Sequence, residues 1–311
     1  MILVTGATGF IGRVLVRQLS ETGQQVRVLL RPSPKSPRLP KGVPVEVAVA
    51  ALNDERGLRA ALRGVTQILH LASAASQGKS GNLFTTDIEG TRILAQTAAS
   101  TGIERLIYLS HIGADRASAF PVHKAKGIAE EHIRKSGVPY TIIRSSLVFG
   151  PEDHFTSGLT SIIRASIGLL PIPGEGRTLL QPLWVEDLVT CLTWALQNPD
   201  MLNETYDIGG GEYFTLRQIL ETIMTISHAR RLIVPIPPPY MRALFVTLDA
   251  FTPGFNVPTY WLDYIAVNRT CPVENLPRIF GLMPARFVYR LNYLERKPFI
   301  QRIQENIRIS R

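Results

Sequence analysis

The fold is decided by the stretch Ile2-Leu-Val-Thr-Gly-Ala-Thr-Gly-Phe-Ile-Gly12, in which an apolar run leads into three glycines spaced three residues apart. The apolar run is typical of a buried strand, and the periodic apolar residues after the glycines predict a helix. A tight turn out of the strand requires Gly6, close approach of a pyrophosphate requires Gly9, and packing of the helix on the sheet requires Gly12. The stretch therefore predicts a Rossmann-type dinucleotide-binding turn, with the anion at the helix N-terminus.

The following sequence repeats this alternation of short apolar runs and amphipathic segments. Strands are predicted at Ile2–Thr5, Val26–Leu30, Val45–Val49, Gln67–Ala72, Arg105–Ser110 and Tyr140–Arg144. Helices are predicted at Ile11–Glu21, Glu55–Ala61, Ile88–Thr101 and His123–Ser136. Alternation of this kind predicts an α/β fold built on a Rossmann-type, doubly wound parallel sheet.

The pattern changes after Gly150 to mixed segments separated by proline and glycine. We therefore expect an NAD(P)-binding Rossmann domain over residues 1–150 and a smaller C-terminal lobe over residues 151–311 that returns elements to the Rossmann half. Helices are predicted in this second part at Leu159–Ile167, Val185–Gln197 and Leu216–Ser227, the last with Thr215 as its N-cap.

Composition excludes several classes of protein. The 311 residues contain two cysteines, Cys191 and Cys271, far apart and in no metal-ligand spacing, so neither a disulfide framework nor a metal site is expected. The N-terminus lacks the basic and long apolar regions of a secretory signal. Prolines and charges interrupt the apolar stretch 232–251, so no membrane-spanning helix is predicted. A cytoplasmic location follows as the default expectation.

The net charge of +9 is concentrated near the C-terminus. From Arg286 onward, seven basic residues face two acidic ones, a net +5. Apolar residues recur at helical spacing in this basic tail, at Phe299, Ile300, Ile303 and Ile307. A solvated face docked on its own domain is one interpretation, and contact with a protein assembly or the anionic inner face of a membrane is the other. Nucleic acid is not expected as a partner, because no aromatic residues are interleaved with the basic ones.

The choice of cofactor is usually decided at the end of the second strand, where a carboxylate accepts from the ribose hydroxyls of NAD. The segment Leu29-Leu-Arg-Pro-Ser33 has no carboxylate there and instead contains Arg31. An arginine fork suits the 2′-phosphate of NADP(H), which is therefore favoured, with NAD(H) as the alternative. Arg13 and Lys35 are candidates to assist, and Arg31 as a simple exposed loop residue is the competing interpretation.

Four segments carry a family resemblance: Thr5-Gly-Ala-Thr-Gly-Phe-Ile-Gly12, Asp87-Ile-Glu-Gly-Thr-Arg92, Leu106-Ile-Tyr-Leu-Ser110 and Gln181-Pro-Leu-Trp-Val-Glu-Asp187. They resemble the extended or atypical short-chain dehydrogenase/reductases. Within that superfamily the chain is most similar to the branch around the NADPH-binding accessory subunit of mitochondrial complex I and its bacterial relatives. This closer similarity is carried by Ser110-His111, Phe149-Gly-Pro-Glu-Asp153 and Gln181-Pro182. The glycine motif and the resemblance together imply these cofactor-binding residues: Gly6, Thr8, Gly9, Phe10, Ile11, Gly12, Arg31, Leu52, Ala72 and Lys126.

The same resemblance implies a catalytic tyrosine four residues before a lysine. Lys126 fits the lysine, but the residue four positions earlier is Val122, which cannot transfer a proton. Ser110 corresponds to the serine at the strand end and His111 replaces a second small hydroxyl residue, so the candidate catalytic residues are Lys126, Ser110 and His111. His123 is the other residue nearby that titrates near neutrality.

Further departures from the family pattern are Ala51 in place of an acidic residue, Asp87 in place of an asparagine and Ser145 in place of a proline. Three hypotheses follow. The chain binds NADP(H) as a structural or redox-sensing ligand, within a membrane-associated assembly as one setting. Alternatively it is an active NADP(H)-dependent oxidoreductase or epimerase-like enzyme on a small organic substrate. A third hypothesis, resting on the basic tail, is an assembly or membrane-surface factor without nucleotide.

Overall fold

The computed structural model describes residues 1–33, 37, 39–75, 81–251, 262 and 264–295. Its elements in the first half are β1 (Ile2–Thr5), α1 (Phe10–Glu21), β2 (Val26–Leu30), β3 (Glu46–Val49), α2 (Glu55–Ala61), β4 (Gln67–His70), a π-helical turn (Phe84–Glu89) continued by α3 (Gly90–Ser100), β5 (Arg105–His111), α4 (Pro121–Lys135) and β6 (Tyr140–Ser145).

The elements of the second half are β7 (Val148–Phe149), α5 (Thr156–Ala165), β8 (Leu169–Pro173), β9 (Leu179–Leu180), β10 (Leu183–Trp184), α6 (Val185–Gln197), a 3-10 turn (Pro199–Met201), β11 (Glu204–Ile208), β12 (Phe214–Thr215), α7 (Leu216–Ile226), β13 (Leu232–Ile236), α8 (Pro238–Phe251), α9 (Asn275–Phe280) and two 3-10 turns (Val288–Arg290 and Asn292–Leu294).

Seven strands form one parallel sheet in the order β11-β6-β5-β4-β1-β2-β3. The chain runs outward from β1 through β2 to β3, then returns to β4 on the other side and continues to β11. Parallel neighbours require crossover connections, which contain helices among the described residues for every pair of this sheet except β2 and β3, so strands and helices alternate along most of the sequence. The predicted doubly wound Rossmann-type sheet is confirmed, and the point where the strand order reverses lies between β1 and β4.

Side chains alternate between the two faces of the sheet, so each strand contributes to two cores. On one face, α1 and α6 pack over Val4, Val28 and Ile107. On the other face, α2, α3 and α4 pack over residues such as Leu3 and Ile68. The central strands β1, β4 and β5 are mostly apolar and buried on both faces, as expected for a parallel sheet covered by helices, whereas the edge strand β3 is largely exposed.

Part of the second half belongs to this sheet rather than to a separate lobe. Strand β11 pairs with β6, and α6 packs beside α1. Buried Arg105, at the start of β5, donates to the carbonyls of Ala195 and Asn198 and so satisfies the C-terminal end of α6. Residues 185–208 thus return to the Rossmann half, while the division of the chain at residue 150 stays a prediction.

A third core lies beyond the sheet and is built from α5, α7, β8 and the end of the described chain, with Phe155, Leu216 and Phe287 among its buried members. Thr215 is the N-cap of α7, as predicted from the sequence. Its hydroxyl accepts from the backbone N–H of Gln218, and the Gln218 side chain accepts from the backbone N–H of Thr215, which completes a capping box. Helix starts differ most from expectation at α3. A π-helical turn begins at Phe84, four residues before the predicted start at Ile88.

Candidate functional site

The glycine turn joins β1 to α1 and is packed too closely for side chains. Gly6 has a φ of +72°, and a Cβ on it would lie 2.7 Å from the Ala72 nitrogen, at the end of the neighbouring strand β4. A Cβ on Gly12 would collide with the Gly6 carbonyl and lie 2.7 Å from the Ala7 Cα. A Cβ on Gly9 would meet only the Gly6 oxygen, at 3.2 Å, so the outer side of Gly9 is open. The three glycines therefore hold the positions that the spacing predicts.

This turn opens onto a cavity of about 810 Å³ at the carboxyl ends of the strands. That volume lies within the range of roughly 300–1,000 Å³ that small-molecule and cofactor sites occupy. All ten residues predicted to bind the cofactor line it: Gly6, Thr8, Gly9, Phe10, Ile11, Gly12, Arg31, Leu52, Ala72 and Lys126. The N-cap of α1 is Gly9, and no side-chain hydrogen bond caps the described start of this helix, so its first amides would be available to an anion at Gly9. The residues thus fit a dinucleotide.

The basic residues proposed to assist Arg31 have different positions. Arg31 lies on the cavity wall together with Ser33 at the end of β2. Arg13 instead donates to the Thr8 carbonyl at 3.1 Å and to the Glu152 carboxylate at 2.5 Å. It therefore connects the glycine turn to the segment after β7. Lys35 lies outside the described residues.

Ser110 is not brought to the cavity. It is completely buried, and its hydroxyl donates to Glu130 at 2.6 Å, on the α4 side of the sheet. Glu130 also accepts two hydrogen bonds from Arg144 and one from Arg134. The reason is the alternation of side chains along β5, which sends His111 to the cavity and Ser110 to the opposite face.

Lys126 lies at the cavity wall but is 2% exposed and held in a buried ion pair. Its ammonium is 3.3 Å from the Asp87 carboxylate and donates to the Leu109 carbonyl at 3.3 Å. The second oxygen of Asp87 accepts from the Ala74 amide at 2.8 Å. The carboxylate that replaces the family's asparagine therefore neutralises the lysine and fixes the loop after β4.

The Lys126 ammonium also lies over the ring of Tyr108, 4.8 Å from the ring centroid. Burial raises the pKa of Tyr108 to about 12, and the positive charge of Lys126 opposes this shift in part. Burial alone would lower the pKa of Lys126, but Tyr108 and Asp87 outweigh it and raise that pKa above its ordinary value. Lys126 is therefore a fixed cation at neutral pH.

His70, a buried histidine that the sequence analysis missed, is hydrogen-bonded to the strand that leads into the glycine turn. Thr5 and His70 are register partners at the ends of β1 and β4, and the Thr5 hydroxyl lies 2.6 Å from His70 Nδ1. His70 Nε2 lies 2.9 Å from the Thr91 hydroxyl, and the Ala72 amide donates to Thr5. Burial, with the charge of Lys126 added, lowers the pKa of His70 to about 3, so the ring is neutral. The sequence signal for this contact was that two apolar strands, β1 and β4, each end in a polar residue.

His111 and Tyr264 also line the cavity. Their rings meet edge to face with centroids 5.9 Å apart, and the Arg269 guanidinium lies 3.7 Å from the Tyr264 ring centroid. Arg269 also donates to the Tyr264 and Ile112 carbonyls, which ties the second half to the end of β5. Tyr264 has no sequence signal, because its neighbours in the cavity are more than 100 residues away along the chain.

The pKa values of His111, Tyr264 and His123 are unfavourable for proton donation near neutral pH. Burial, helped by the nearby charge of Lys126, lowers the pKa of His111 well below its usual range. Burial raises the pKa of Tyr264. His123 is buried behind the cavity wall rather than in it, and burial lowers its pKa to about 4. Val122, at the position of the family's tyrosine, is also buried.

No group of three or more histidine, cysteine, aspartate or glutamate side chains within residues 1–33, 39–75, 81–251 and 264–295 is arranged to hold a metal ion. Cys191 and Cys271 are buried free thiols, as predicted.

The glycine turn, the strand order and the cavity together define a dinucleotide-binding α/β protein. Comparison with protein families agrees: residues 6–155 match an NAD(P)H-binding family and residues 116–209 match the NAD dependent epimerase/dehydratase family. Residues 6–209 therefore carry NAD(P)-binding domains of the epimerase and short-chain dehydrogenase/reductase family, which confirms the predicted resemblance.

Two curated relatives and one solved structure illustrate the range of this family. The chain is 29% identical over 255 residues to NADH dehydrogenase [ubiquinone] 1 alpha subcomplex subunit 9 of Arabidopsis thaliana, covering 79% of this chain but 62% of the plant subunit. It is 27% identical to the ceramide reductase of Caulobacter vibrioides, covering 91% of both chains. A short-chain dehydrogenase/reductase superfamily protein of Agrobacterium tumefaciens with bound NAD shares the fold, with a TM-score of 0.73, 22% identity and 99% coverage of both chains.

The first prediction concerns Gly12. We expect Gly12→Ala to abolish binding of NADPH and NADH in a calorimetric titration, because the methyl group forces the glycine turn away from α1. Overpacking of this kind should also lower the free energy of unfolding by roughly 1–3 kcal/mol. Gly158→Ala is the matched control, because a Cβ there meets no atom within 4 Å. Unaltered nucleotide binding by Gly12→Ala would show that the turn does not form the site.

The second prediction concerns pH. His70 has an ordinary pKa of 6.5 when unfolded and about 3 when folded, so below pH 6.5 the unfolded chain binds the additional proton. Stability is therefore present above pH 6.5 and lost as the pH falls. Between pH 7 and pH 5 we expect a loss of about 2 kcal/mol from His70 alone. Urea unfolding at both pH values should show a smaller loss for His70→Gln than for wild type and for the exposed control His228→Gln. Equal losses in all three would contradict the assignment.

Proposed function

We propose that the cavity binds NADP(H) in preference to NAD(H), with the adenosine 2′-phosphate beside Arg31. The observation that supports this is the placement of Arg31 and Ser33 on the cavity wall at the end of β2, in a segment without a carboxylate. An always-charged guanidinium provides a planar pair of donors for a phosphate, whereas NAD specificity normally uses an acceptor at this point. When bound, NADPH supplies a hydride.

We further propose that the bound nucleotide has a structural or redox-sensing role rather than a role in rapid turnover. The observation that carries this proposal is the state of Lys126, which is paired with buried Asp87 while Val122 stands where a proton-donating tyrosine is required. A general acid works best with a pKa near the working pH. The remaining candidates, His111 and Tyr264, have pKa values shifted in opposite directions away from it.

The third prediction tests the cofactor. In calorimetric titrations we expect wild type to bind NADPH at least tenfold more tightly than NADH, because hydrogen bonds to a charged phosphate contribute roughly 1.5–3 kcal/mol. Arg31→Gln should weaken NADPH binding by about the same factor and leave NADH binding unchanged. Arg17→Gln, an exposed arginine on α1 outside the cavity wall, is the matched control. Equal affinity for the two nucleotides in wild type would overturn the proposed preference.

The structural role has a separate measurement. NADPH at a hundred times its dissociation constant should stabilise the fold by about 2.7 kcal/mol, and the melting temperature should rise accordingly. NADPH that binds but leaves the melting temperature unchanged would contradict a stabilising role.

A second candidate function is an active NADP(H)-dependent reductase or epimerase-like enzyme. His111 favours it, because its ring lies on the cavity wall and its buried Nδ1 has no hydrogen-bond partner among the described residues. Similarity to a ceramide reductase over 91% of both chains points the same way.

The fourth prediction distinguishes the two candidates. A panel of carbonyl, quinone and nucleotide-sugar substrates with NADPH should show no turnover if the nucleotide is a structural ligand. Turnover that is lost in His111→Phe and in Lys126→Ala, with NADPH binding kept in His111→Phe, would instead establish the enzyme. His123→Phe is the matched control, because His123 lies behind the cavity wall.

The partner and the cellular location of the protein are proposed from its relatives. Because a relative is a subunit of NADH dehydrogenase, we propose a protein assembly as the partner, at the inner face of a membrane or in the cytoplasm. The basic tail from residue 296 onward lies outside the described residues, so its predicted contact with a partner or an anionic surface stays a prediction. Among the described helices, none has the length and apolar character needed to cross a membrane.

A further inference from the structure

One end of the small sheet formed by β8 and β13 exposes large aliphatic side chains. Leu169 and Leu232 are register partners and are 54% and 66% exposed, and Ile167, in the turn just before β8, is 97% exposed. The turn is joined to β13, because the Leu232 amide donates to the Gly168 carbonyl at 2.8 Å. We call Ile167, Leu169 and Leu232 the apolar tip.

The apolar tip is the outward side of a sheet whose inward side is well packed. Leu170 and Ile172, which alternate with the exposed residues of β8, are buried in the third core. Sheet faces that meet water normally carry polar side chains, and parallel pairs are normally covered on both faces. Exposed aliphatic residues grouped in this way indicate a contact surface.

Arginines lie next to the apolar tip along the chain. Arg231 precedes Leu232 and its Nε donates to the Ser166 hydroxyl at 3.1 Å, beside Ile167, while Arg230 is exposed. Residues 164–174 contain Arg164, residues 226–236 contain Arg230 and Arg231, and neither segment contains an aspartate or glutamate, although Glu175, Glu221 and Asp249 lie further along the chain. Along the sequence, the charged residues nearest to Ile167, Leu169 and Leu232 are therefore arginines.

We propose that the apolar tip and its flanking arginines form a docking surface for an anionic lipid bilayer. Ile167 projects almost completely into solvent, a shape suited to insertion between lipids rather than to filling by a partner side chain. Apolar residues that enter the headgroup region, with arginines attracted to anionic headgroups, are the two contributions that hold interfacial proteins on membranes. This surface is distinct from the nucleotide cavity and does not depend on the proposed role of the nucleotide, while it extends the proposed setting at the inner face of a membrane.

The fifth prediction uses the full-length protein and vesicles of equal parts phosphatidylcholine and phosphatidylglycerol. We expect wild type to float with these vesicles and not with pure phosphatidylcholine. The double variant Ile167→Ser/Leu232→Ser should lose most of the floated fraction, and Arg230→Glu/Arg231→Glu should weaken binding at least twentyfold, because each arginine near an anionic surface contributes about a fivefold factor. Folding of each variant is checked by its melting temperature.

The controls separate this surface from others on the chain. Met283→Ser and Arg56→Glu change an equally exposed apolar residue and an exposed arginine elsewhere, and should bind as wild type. Arg302→Glu/Arg308→Glu changes the basic tail and should leave flotation largely intact. The proposal is overturned if wild type does not float, if it floats equally with neutral vesicles, or if only the tail variant loses binding. Dimerisation that disappears in Ile167→Ser/Leu232→Ser, without flotation, would assign the surface to a second copy of the chain and also overturn the proposal.

Discussion

The close approach of the glycine turn to the end of β4 is the constraint on which the site depends. Gly6, in a left-handed conformation, lies against the backbone at Ala72, and Gly12 lies against the Gly6 carbonyl. No residue with a Cβ fits at either position, so the spacing of α1 from the sheet is set by backbone contact rather than by side-chain packing. This contact orients the start of α1 toward the cavity, and the remaining wall is assembled around it.

Behind the turn, the interior contains several buried polar and charged side chains. Thr5, His70 and Thr91 form a hydrogen-bonded row, and Asp87 and Lys126 form an ion pair, all of them buried. Groups of this kind are costly to bury unless each finds a partner. The pairing makes Lys126 a rigid part of the wall, and buried Val122 occupies the position four residues before it, where the family has its tyrosine.

The second half of the chain serves two purposes. Residues 185–208 complete the sheet and one of its helical layers, while the third core presents Tyr264 to the cavity and the apolar tip to the outside. The third core therefore contributes both to part of the cavity wall and to the apolar tip, whose exposed aliphatic residues alternate along β8 with the buried Leu170 and Ile172.

The sequence by itself determined the dinucleotide-binding turn, the doubly wound sheet and the loss of the tyrosine, because each depends on residues that are neighbours along the chain. Glycine spacing, helical and strand periodicity and the interval from Val122 to Lys126 are all local. It also identified ten residues of the cavity wall and His111. Most of these residues lie at or just after strand ends that meet at one edge of a parallel sheet, whereas Lys126 lies within α4 and was inferred from the family resemblance. Tertiary structure decided the rest.

Ser110 faces away from the cavity because the alternation along β5 has only two directions, and packing against α4 selected one of them. The pairing of Asp87 with Lys126 joins residues 39 positions apart, and Tyr264 reaches His111 across half the chain. The apolar tip likewise depends on β8 pairing with a strand some 60 residues later. Contacts between distant segments leave no periodic signal in the sequence, since they are fixed by the packing of whole elements rather than by the residues beside them.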